Sequence, residues 1–509
     1  MDHPDLAQMA CIAAAAGVTL FIAGRGRAAV LGGLALIGLG GTGLVSSASG
    51  IGRLDALSSG AGIAAGLLGL AVLAAAAWVF VIRPAWVPLA VLIAAPLRPP
   101  IKLGDGGGFP IALAEDGSLG RLLPLYFVLA AAALALAWRA LSAREQGTLP
   151  VRQLPLVAAL PAAALTALAC VSLLWADPMR PGVESLVFFG LPFAVLFGTV
   201  GRAPFPDWMP RTLGGVAVAM AAVFAAVGLF QAATRELFFF APNLELSNAN
   251  SSFFRVTSLF GDPSLYGRHL VVGLAIVLSV MALKRMDLRL ATGLVVLLWA
   301  GLMVSYSQSS MLALIVVTLV IAALTGTRRV RLAVVGTFAL VAVVLAGYLI
   351  SVPLRGDSLR NETADRSQRI EETLKVIERD PVAGVGIGGQ PQASRRLSGS
   401  DRPTPNFVSH TAPLTVFAEL GAIGVALLVW LLVGATRMLL AVRRLEAGLG
   451  LALIAVLLGL FVQSLFYPGF LEDPLTWVAL GIGAGYLTWP RRDDGTGRAA
   501  ATETVEAAT

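Results

Sequence analysis

The chain has 509 residues, of which 57% are hydrophobic and only 13% are charged, and its formal net charge is +7. A soluble protein of this length cannot bury so much apolar surface, so the composition excludes a soluble protein and indicates a polytopic membrane protein. The apolar runs are continuous and do not alternate with a period of two, which favours helices over a β-barrel. Cys11 and Cys170, the two cysteines, both lie inside apolar runs. This position excludes a disulfide framework or a cysteine-based metal cluster.

Most of the positive charge lies in short segments between the apolar runs. The positive-inside rule accounts for this placement, so the charge predicts no nucleic-acid partner. The first eight residues contain Asp2 and Asp5 but no lysine or arginine. Because a signal peptide begins with a basic region, we expect the first apolar run to be retained as a helix.

The apolar runs predict an all-α fold, a polytopic transmembrane bundle of about 14 helices. The candidate spans are 8–24, 28–47, 57–82, 84–97, 121–138, 155–174, 183–200, 212–232, 266–283, 290–306, 311–327, 332–350, 412–434, 448–467 and 475–489. Basic residues of the short loops, such as Arg25 with Arg27 and Lys284 with Arg285, fall on one side, which we predict to be cytoplasmic.

This orientation gives the chain four parts. Residues 1–350 are transmembrane helices with an external loop over 234–267. Residues 351–411 form one large periplasmic loop that contains short helices, and 412–490 are the C-terminal transmembrane helices. Residues 491–509 are polar and are predicted to be a disordered cytoplasmic tail.

The sequence predicts a short amphipathic helix over 365–379 in the large loop. At about 100° per residue, Arg366 shares a face with Ile370, Leu374 and Ile377, whereas Arg369 points toward solvent. A guanidinium on a packed face needs an anionic partner, which makes Arg366 a candidate for binding an anionic substrate. The alternatives are an arginine that snorkels at the start of the helix or one that pairs with a buried carboxylate.

The helix is followed by a glycine-rich stretch, GVGIGG, over residues 384–389. It matches the GxGxxG pattern but follows a helix instead of a strand, so it does not indicate a dinucleotide site. We interpret it as a tight backbone turn in which Gly384 and Gly386 lie close to a substrate phosphate.

His410 lies where the large loop re-enters the membrane, and histidine is the natural proton acceptor near neutral pH. The alternative is a structural hydrogen-bonding role, which is also the interpretation of His3 and His269. Arg255 lies in the earlier external loop, among aromatic residues typical of a membrane interface. It is a second candidate for binding the anion of a lipid-linked substrate.

Four motifs together resemble the superfamily of O-antigen ligases and O-antigen polymerases. They are the RVTSLFGDPS stretch over 255–264, Arg366 followed by PVAGVGIG over 381–388, His410, and FAELGAIG over 417–424. The motifs cover about residues 250–430, and the hydropathy profile resembles the family over the whole chain.

The resemblance implies a GT-C-like fold in the bacterial inner membrane, with an active site facing the periplasm. It implies inverting transfer of a glycan from undecaprenyl pyrophosphate without a metal or other cofactor. The acceptor would be lipid A–core or a growing glycan, and membrane lipids would surround the protein. Carried over to this sequence, Arg255 and Arg366 would bind the pyrophosphate and His410 would orient or deprotonate the acceptor hydroxyl.

Three positions depart from the family pattern. Thr411 stands where an asparagine usually follows the histidine, Ser264 replaces another asparagine, and Ser309-Ser310 lacks the arginine of the family's SRG motif. Glu419 matches the family's helix glutamate and is interpreted as structural or as the partner of an arginine.

Ligase and polymerase remain open as alternatives. A transporter or flippase of lipid-linked glycan is the rival class, and it would call for ionisable residues and broken helices within the membrane. A structural subunit with a sensing loop is a third class.

Overall fold

A computed structural model describes residues 3–49, 60–98, 122–146, 151–239, 242–354 and 366–490. Within these ranges the regular elements are helices, and no strand occurs. The predicted polytopic helical membrane fold is therefore confirmed. The predicted tail over 491–509 and the first part of the large loop, 355–365, lie outside the described residues.

The α-helices are numbered in chain order. They are α1 (Pro4–Ala23), α2 (Gly26–Ser49), α3 (Gly60–Ile82), α4 (Val87–Ala94), α5 (Leu123–Gln146), α6 (Leu156–Ser172), α7 (Met179–Ser185), α8 (Leu191–Gly201), α9 (Met209–Thr234), α10 (Pro242–Ala249), α11 (Pro263–Ala282), α12 (Leu288–Ser305), α13 (Gln308–Thr325), α14 (Arg328–Leu354), α15 (Arg366–Arg379), α16 (Gln390–Ser398), α17 (Ala412–Leu445), α18 (Ala447–Ser464) and α19 (Pro474–Thr488).

Among the described residues, 12 helical segments are long and apolar enough to cross a membrane. The sequence predicts about 14 spans, and three predicted spans are not among these 12 segments: 84–97, 332–350 and 475–489. The run at 84–97 forms only a short apolar helix, Pro84–Ala94, and α19 has 15 residues. A helix of 27 residues, α14, lies where 332–350 was predicted. A segment of 15 residues extends only about 22 Å as a helix, which is less than the hydrocarbon core of a bilayer.

The described helices pack around two large hydrophobic clusters, and a third, small cluster joins α15 to α17 through Val376, Ile377 and Ala418. The larger contains side chains of α1, α6, α8, α17, α18 and α19, with Phe21, Phe193 and Phe197 fully buried. The smaller lies among α9, α11 and α12 and is centred on Phe260 and Tyr266. Between membrane helices, close packing and hydrogen bonds do much of the work that hydrophobic burial does in water, so polar links between the two clusters are important for the fold.

One membrane helix, α17, is broken near its start. Gly421 has φ +65° and ψ −165°, a conformation that a residue with a side chain rarely adopts. The N–H of Ala422 donates to Pro381 O at 2.9 Å instead of to a carbonyl of its own helix. The break therefore leaves backbone groups that must find partners elsewhere, because an unsatisfied group inside a membrane costs several kcal/mol.

The glycine-rich stretch that follows α15 supplies those partners. Val385 N donates to Ala418 O at 2.9 Å, and Gly386 N donates to Glu419 O at 2.9 Å. A Cβ atom at Gly421 would overlap the Val382 carbonyl, so only glycine allows this approach. The large loop is thereby fixed to the first turns of α17, at the end of the bundle where α6 and α18 finish and α19 begins.

Candidate functional site

The orientation of α15 differs from the one predicted by its apolar residues. Ile370 and Leu374 are 40% and 42% exposed, whereas Thr373 and Val376 are completely buried. The buried face is therefore turned toward the side of Arg369. The prediction that Arg369 faces solvent is wrong, because its side chain is half-buried and contacts the loop that carries His410.

The reason is a polar network beneath α15. Glu372 is buried and accepts hydrogen bonds from Arg402 Nη2 at 2.9 Å and Gln368 Nε2 at 2.7 Å. Thr373 Oγ1 lies 3.3 Å from Gln390 Nε2. The helix can bury these polar groups because they have hydrogen-bond partners. The spacing of hydrophobic residues alone does not predict that this polar face is buried.

Arg369 lies against His410. Its guanidinium Nη1 makes a hydrogen bond to His410 Nε2. Arginine has only N–H donors, so Nε2 is the acceptor and the contact requires a neutral imidazole protonated on Nδ1. The structure thus pairs the predicted general base with an arginine that the sequence analysis expected to point toward solvent.

The residues on either side of His410 are fixed to different elements. Ser409 N donates to Gln390 Oε1 at 3.1 Å, and Gln390 itself is fully buried at the start of α16. Thr411 Oγ1 donates to Leu465 O at 3.1 Å, just after the end of α18. His410 is therefore positioned by the large loop on one side and by the bundle on the other.

Arg366 is the first residue of α15, as predicted. Its side chain lies outside the described part of the structure. Its role as a pyrophosphate ligand stays a prediction.

Arg255 lies on a separate loop between α10 and α11. Asn248 fixes its backbone on both sides, donating to Arg255 O and accepting from Arg255 N, each at 3.0 Å. The guanidinium Nε donates to Ser305 O at 3.4 Å. Burial lowers the pKa of Arg255 below its usual value, and nearby Asp262 opposes that shift. Within the described part of the chain, none of the hydrogen bonds of Arg255 goes to His410 or to α15.

The loop of Arg255 is itself held rigidly. Buried Gln231 of α9 accepts from Thr257 N at 3.2 Å and from Ser258 N at 2.6 Å, and it donates to Ser258 O at 3.0 Å. Asp262 then caps α11 by accepting from Ser264 N at 2.6 Å. The RVTSLFGDPS stretch is therefore a fixed platform that holds Arg255 in place.

Gly384 and Gly386 form a tight turn, as predicted, with φ of +69° and +86°. A Cβ at Gly386 would lie 2.6 Å from Ala176 Cα, so the turn is closely packed against the end of α6. Both N–H groups already donate to protein carbonyls, Asp380 O for Gly384 and Glu419 O for Gly386. A substrate phosphate that bound these N–H groups would have to displace those hydrogen bonds. The structure shows instead that the two glycines allow close packing of the turn.

A cavity of about 290 Å³ lies beside the His410 loop. Its lining includes Ser409 and Ala412, which flank His410 closely, together with Gly388 of the glycine turn. Glu419 and Glu472 also line it. Glu419 contacts no arginine in the described structure, so its observed position is on the cavity wall and not in an ion pair.

A buried arginine links α11 to the loop between α18 and α19. Arg268 forms a salt bridge with Asp473 and hydrogen bonds to Gln463 Oε1 at 2.8 Å and Gly469 O at 3.0 Å. Arg268 and Asp473 are 2% and 5% exposed. The structural interpretation of the neighbouring His269 agrees with its contacts, since its ring stacks on Phe260 at 4.5 Å.

Residues 293–429 match the family model described as O-antigen ligase. This segment is similar to the O-antigen ligase family. The resemblance predicted from the motifs is thereby confirmed, and the segment indicates an O-antigen ligase-type function. The comparison with curated proteins gave no match.

The O-antigen ligase segment contains α15, the glycine turn, His410 and Glu419, whereas Arg255 lies upstream of it. Two of the positions that depart from the family pattern have structural partners here. Ser310 Oγ accepts from Gln463 Nε2 at 2.7 Å, and Thr411 Oγ1 donates to Leu465 O. Both tie neighbouring elements to α18 and its C-terminal end.

Two residues of this candidate site were missed by sequence reasoning. Arg369 was assigned to the wrong face because the helix buries polar groups on that face. Its position one turn before Thr373, which is buried, is the sequence feature that could have indicated the correct face. Glu472 lies in a short loop without a recognisable motif. Only the folded arrangement brings it to the cavity.

Proposed function

We propose that this chain is an inverting, metal-independent glycosyltransferase with a GT-C-like fold in the bacterial inner membrane. It transfers a glycan from undecaprenyl pyrophosphate to an acceptor hydroxyl on the periplasmic side. The acceptor is lipid A–core in a ligase or a growing glycan in a polymerase. The observation that carries the proposal is the contact of Arg369 with His410 inside the segment that matches the O-antigen ligase family.

The proposed reaction is a single displacement at the anomeric carbon. The acceptor oxygen forms the new C–O bond while the bond between the anomeric carbon and the phosphate oxygen breaks. His410 takes the proton of the acceptor hydroxyl, and the pyrophosphate leaves with the bonding electrons. Arg255 and Arg366 bind the pyrophosphate and stabilise the charge that grows on it.

The hydrogen bond to Arg369 adds a step to this scheme. His410 Nε2 holds the lone pair that would accept the proton, and in the structure Arg369 occupies it. An incoming pyrophosphate is a stronger acceptor for a guanidinium than a neutral imidazole is. Donor binding therefore draws Arg369 toward the pyrophosphate and frees Nε2 for the acceptor hydroxyl.

Gly384 and Gly386 take part in this scheme through their packing. They keep the turn fixed to α6 and α17, beside the space that the substrates enter. This proposal retains both glycines in the substrate site, as shaping residues next to the bound glycan.

Two features favour the rival transporter class: the break in α17, and the buried ionisable residues Arg268 and Glu419 in candidate membrane helices. Here the glycine turn satisfies the backbone groups at the break.

A single experiment separates the glycosyltransferase from the transporter. Purified protein in liposomes is given an undecaprenyl pyrophosphate-linked glycan and a hydroxyl acceptor. The proposal predicts glycosylated acceptor and released undecaprenyl pyrophosphate, whereas donor crossing the bilayer without product would overturn it.

A further inference from the structure

The cavity beside His410 is mostly apolar but carries two acidic side chains. Phe189, Phe470 and Trp477 contribute to its walls. The acidic groups are Glu419, near the start of α17, and Glu472, in the loop before α19. Small-molecule sites combine apolar walls and a few placed polar groups in this way.

Glu419 is a buried carboxylate that points into this space. It is only 7% exposed, and no side chain in the described part of the protein donates to it. Its nearest donors are the backbone N–H groups of Gly388 and Gln390. A carboxylate offers about four lone-pair positions, so acceptor capacity remains on the side that faces the cavity.

Glu472 has still fewer partners. Its carboxylate opens on the cavity, and among the described residues no hydrogen bond or salt bridge engages it. Arg268, whose charge acts on Glu472, is already bound to Asp473, Gln463 and backbone carbonyls. The surrounding groups desolvate Glu472 and raise its pKa, with Arg268 opposing the shift.

These charges determine which ligand fits. No lysine, arginine or histidine is among the described residues that line the cavity. The lining therefore offers a phosphate no cation to bind, which disfavours the pyrophosphate of the donor in this space. A ligand that offers O–H donors would satisfy both carboxylates while its ring packed against the apolar walls.

We infer that the cavity is a subsite for an uncharged sugar residue, whose hydroxyl groups donate to Glu419 and Glu472. The inference rests on the proposed function, because Ser409 and Ala412 place the cavity next to the proposed base. The sugar comes from either the donor glycan or the acceptor. In both cases the acidic cavity holds sugar, and the arginines hold pyrophosphate.

The kinetic test compares Glu472→Gln and Glu419→Gln with wild type in the transfer assay. Glu378→Gln is the matched control, since Glu378 is an exposed glutamate on α15 outside the cavity. Loss of a hydrogen bond to a charged group is expected to raise KM about 10-fold or more for one sugar substrate. A higher KM for the acceptor identifies the acceptor sugar, and a higher KM for the donor identifies the donor sugar. Unchanged KM for both substrates in both variants overturns the inference.

A binding test works even if the protein transfers nothing. Thr415 lines the cavity and is half-buried, and the natural cysteines Cys11 and Cys170 are fully buried. In Thr415→Cys protein, a small thiol reagent therefore reports access to the cavity, and in Glu378→Cys protein it reports access to the outer surface. The probes are methyl glycosides of glucose, galactose, mannose and N-acetylglucosamine, the complete donor and acceptor, and inorganic phosphate.

The expected result is that at least one sugar probe slows labelling of the Thr415→Cys variant severalfold and that phosphate does not. Labelling of the Glu378→Cys variant should be unaffected by every probe. Adding Glu472→Gln to Thr415→Cys should weaken the protection. If no sugar probe protects while wild type still transfers glycan, the subsite is overturned and the proposed function stands. If sugar protects but wild type transfers nothing, the subsite stands and the proposed function fails.

Discussion

The contact between Arg369 and His410 depends on the chemistry of two side chains. A guanidinium can only donate, so it binds an imidazole nitrogen that carries a lone pair and not one that carries a proton. The contact therefore selects the neutral imidazole, which is the form a general base needs. This pairing therefore places a neutral imidazole, able to accept a proton, in the large loop of the segment that matches the O-antigen ligase model.

We predict that Arg369→Gln lowers kcat for glycan transfer by about 10- to 100-fold, because the free protein loses the contact that positions His410 and the incoming pyrophosphate loses a guanidinium partner. The measurement is kcat and KM in the purified transfer assay. Arg369→Lys should recover part of the rate, since it keeps a positive donor. Arg379→Gln is the control, because Arg379 is exposed at the end of the same helix. Equal activity of Arg369→Gln and the control would contradict a positioning role.

The proposed stabilisation of the leaving pyrophosphate comes from arginines. Guanidinium groups remain charged and bind phosphate in two-point geometry without an ion. We therefore predict that transfer by purified protein continues at an unchanged rate after treatment with a chelator of divalent cations. Loss of activity with the chelator and its recovery on adding Mg²⁺ would contradict the metal-independent scheme.

At the scale of elements, the central device is the insertion of the glycine turn into the break of α17. The break and the turn satisfy each other's backbone groups, so each stabilises the other. The same contact fixes the end of α15 to the bundle, and α15 in turn contacts His410. The geometry of the site is therefore a consequence of backbone pairing at Gly421.

We predict that Gly421→Ala destabilises the protein by roughly 1–3 kcal/mol or more, because it adds both strain at positive φ and overlap with the Val382 carbonyl. Gly215→Ala in α9 is the control, since no atom lies within 4 Å of the added Cβ. The measurement is thermal unfolding in detergent. The control should melt at the wild-type temperature or slightly above it. Equal melting of the two variants would show that the insertion is not needed.

The sequence predicts α15 well and its orientation poorly. The expected range, 365–379, agrees with Arg366–Arg379 because the helical period and Asp380-Pro381 mark its extent. The buried face could not be predicted, because Glu372 and Thr373 are buried through partners from distant segments, Arg402 and Gln390. The insertion at Gly421 also depends on a residue pair that no local pattern reveals.

At the scale of the molecule, a polar junction joins the two hydrophobic clusters. Arg268 belongs to α11, which carries much of the smaller cluster, and Asp473 opens α19 of the larger one. Gln463 bridges them by accepting from Arg268 and donating to Ser310. Hydropathy predicts the helices but not this junction, because the partners are distant along the chain.

We predict that Arg268→Gln destabilises the protein by about 3–5 kcal/mol, because it removes the guanidinium that forms a salt bridge with the buried Asp473 carboxylate. The double variant Arg268→Gln with Asp473→Asn should recover part of the loss. Thermal unfolding of the two single variants and the double variant measures the coupling. A double variant whose loss equals the sum of the single losses would contradict the ion pair as the link.

The central claim is that His410 is the base for glycan transfer. The most direct measurement compares wild-type protein and His410→Ala in the purified assay with the undecaprenyl pyrophosphate-linked donor, together with donor binding by each. We predict that His410→Ala lowers kcat by about 100-fold or more while donor affinity stays within a few fold of wild type. Transfer by His410→Ala at the wild-type rate would contradict it.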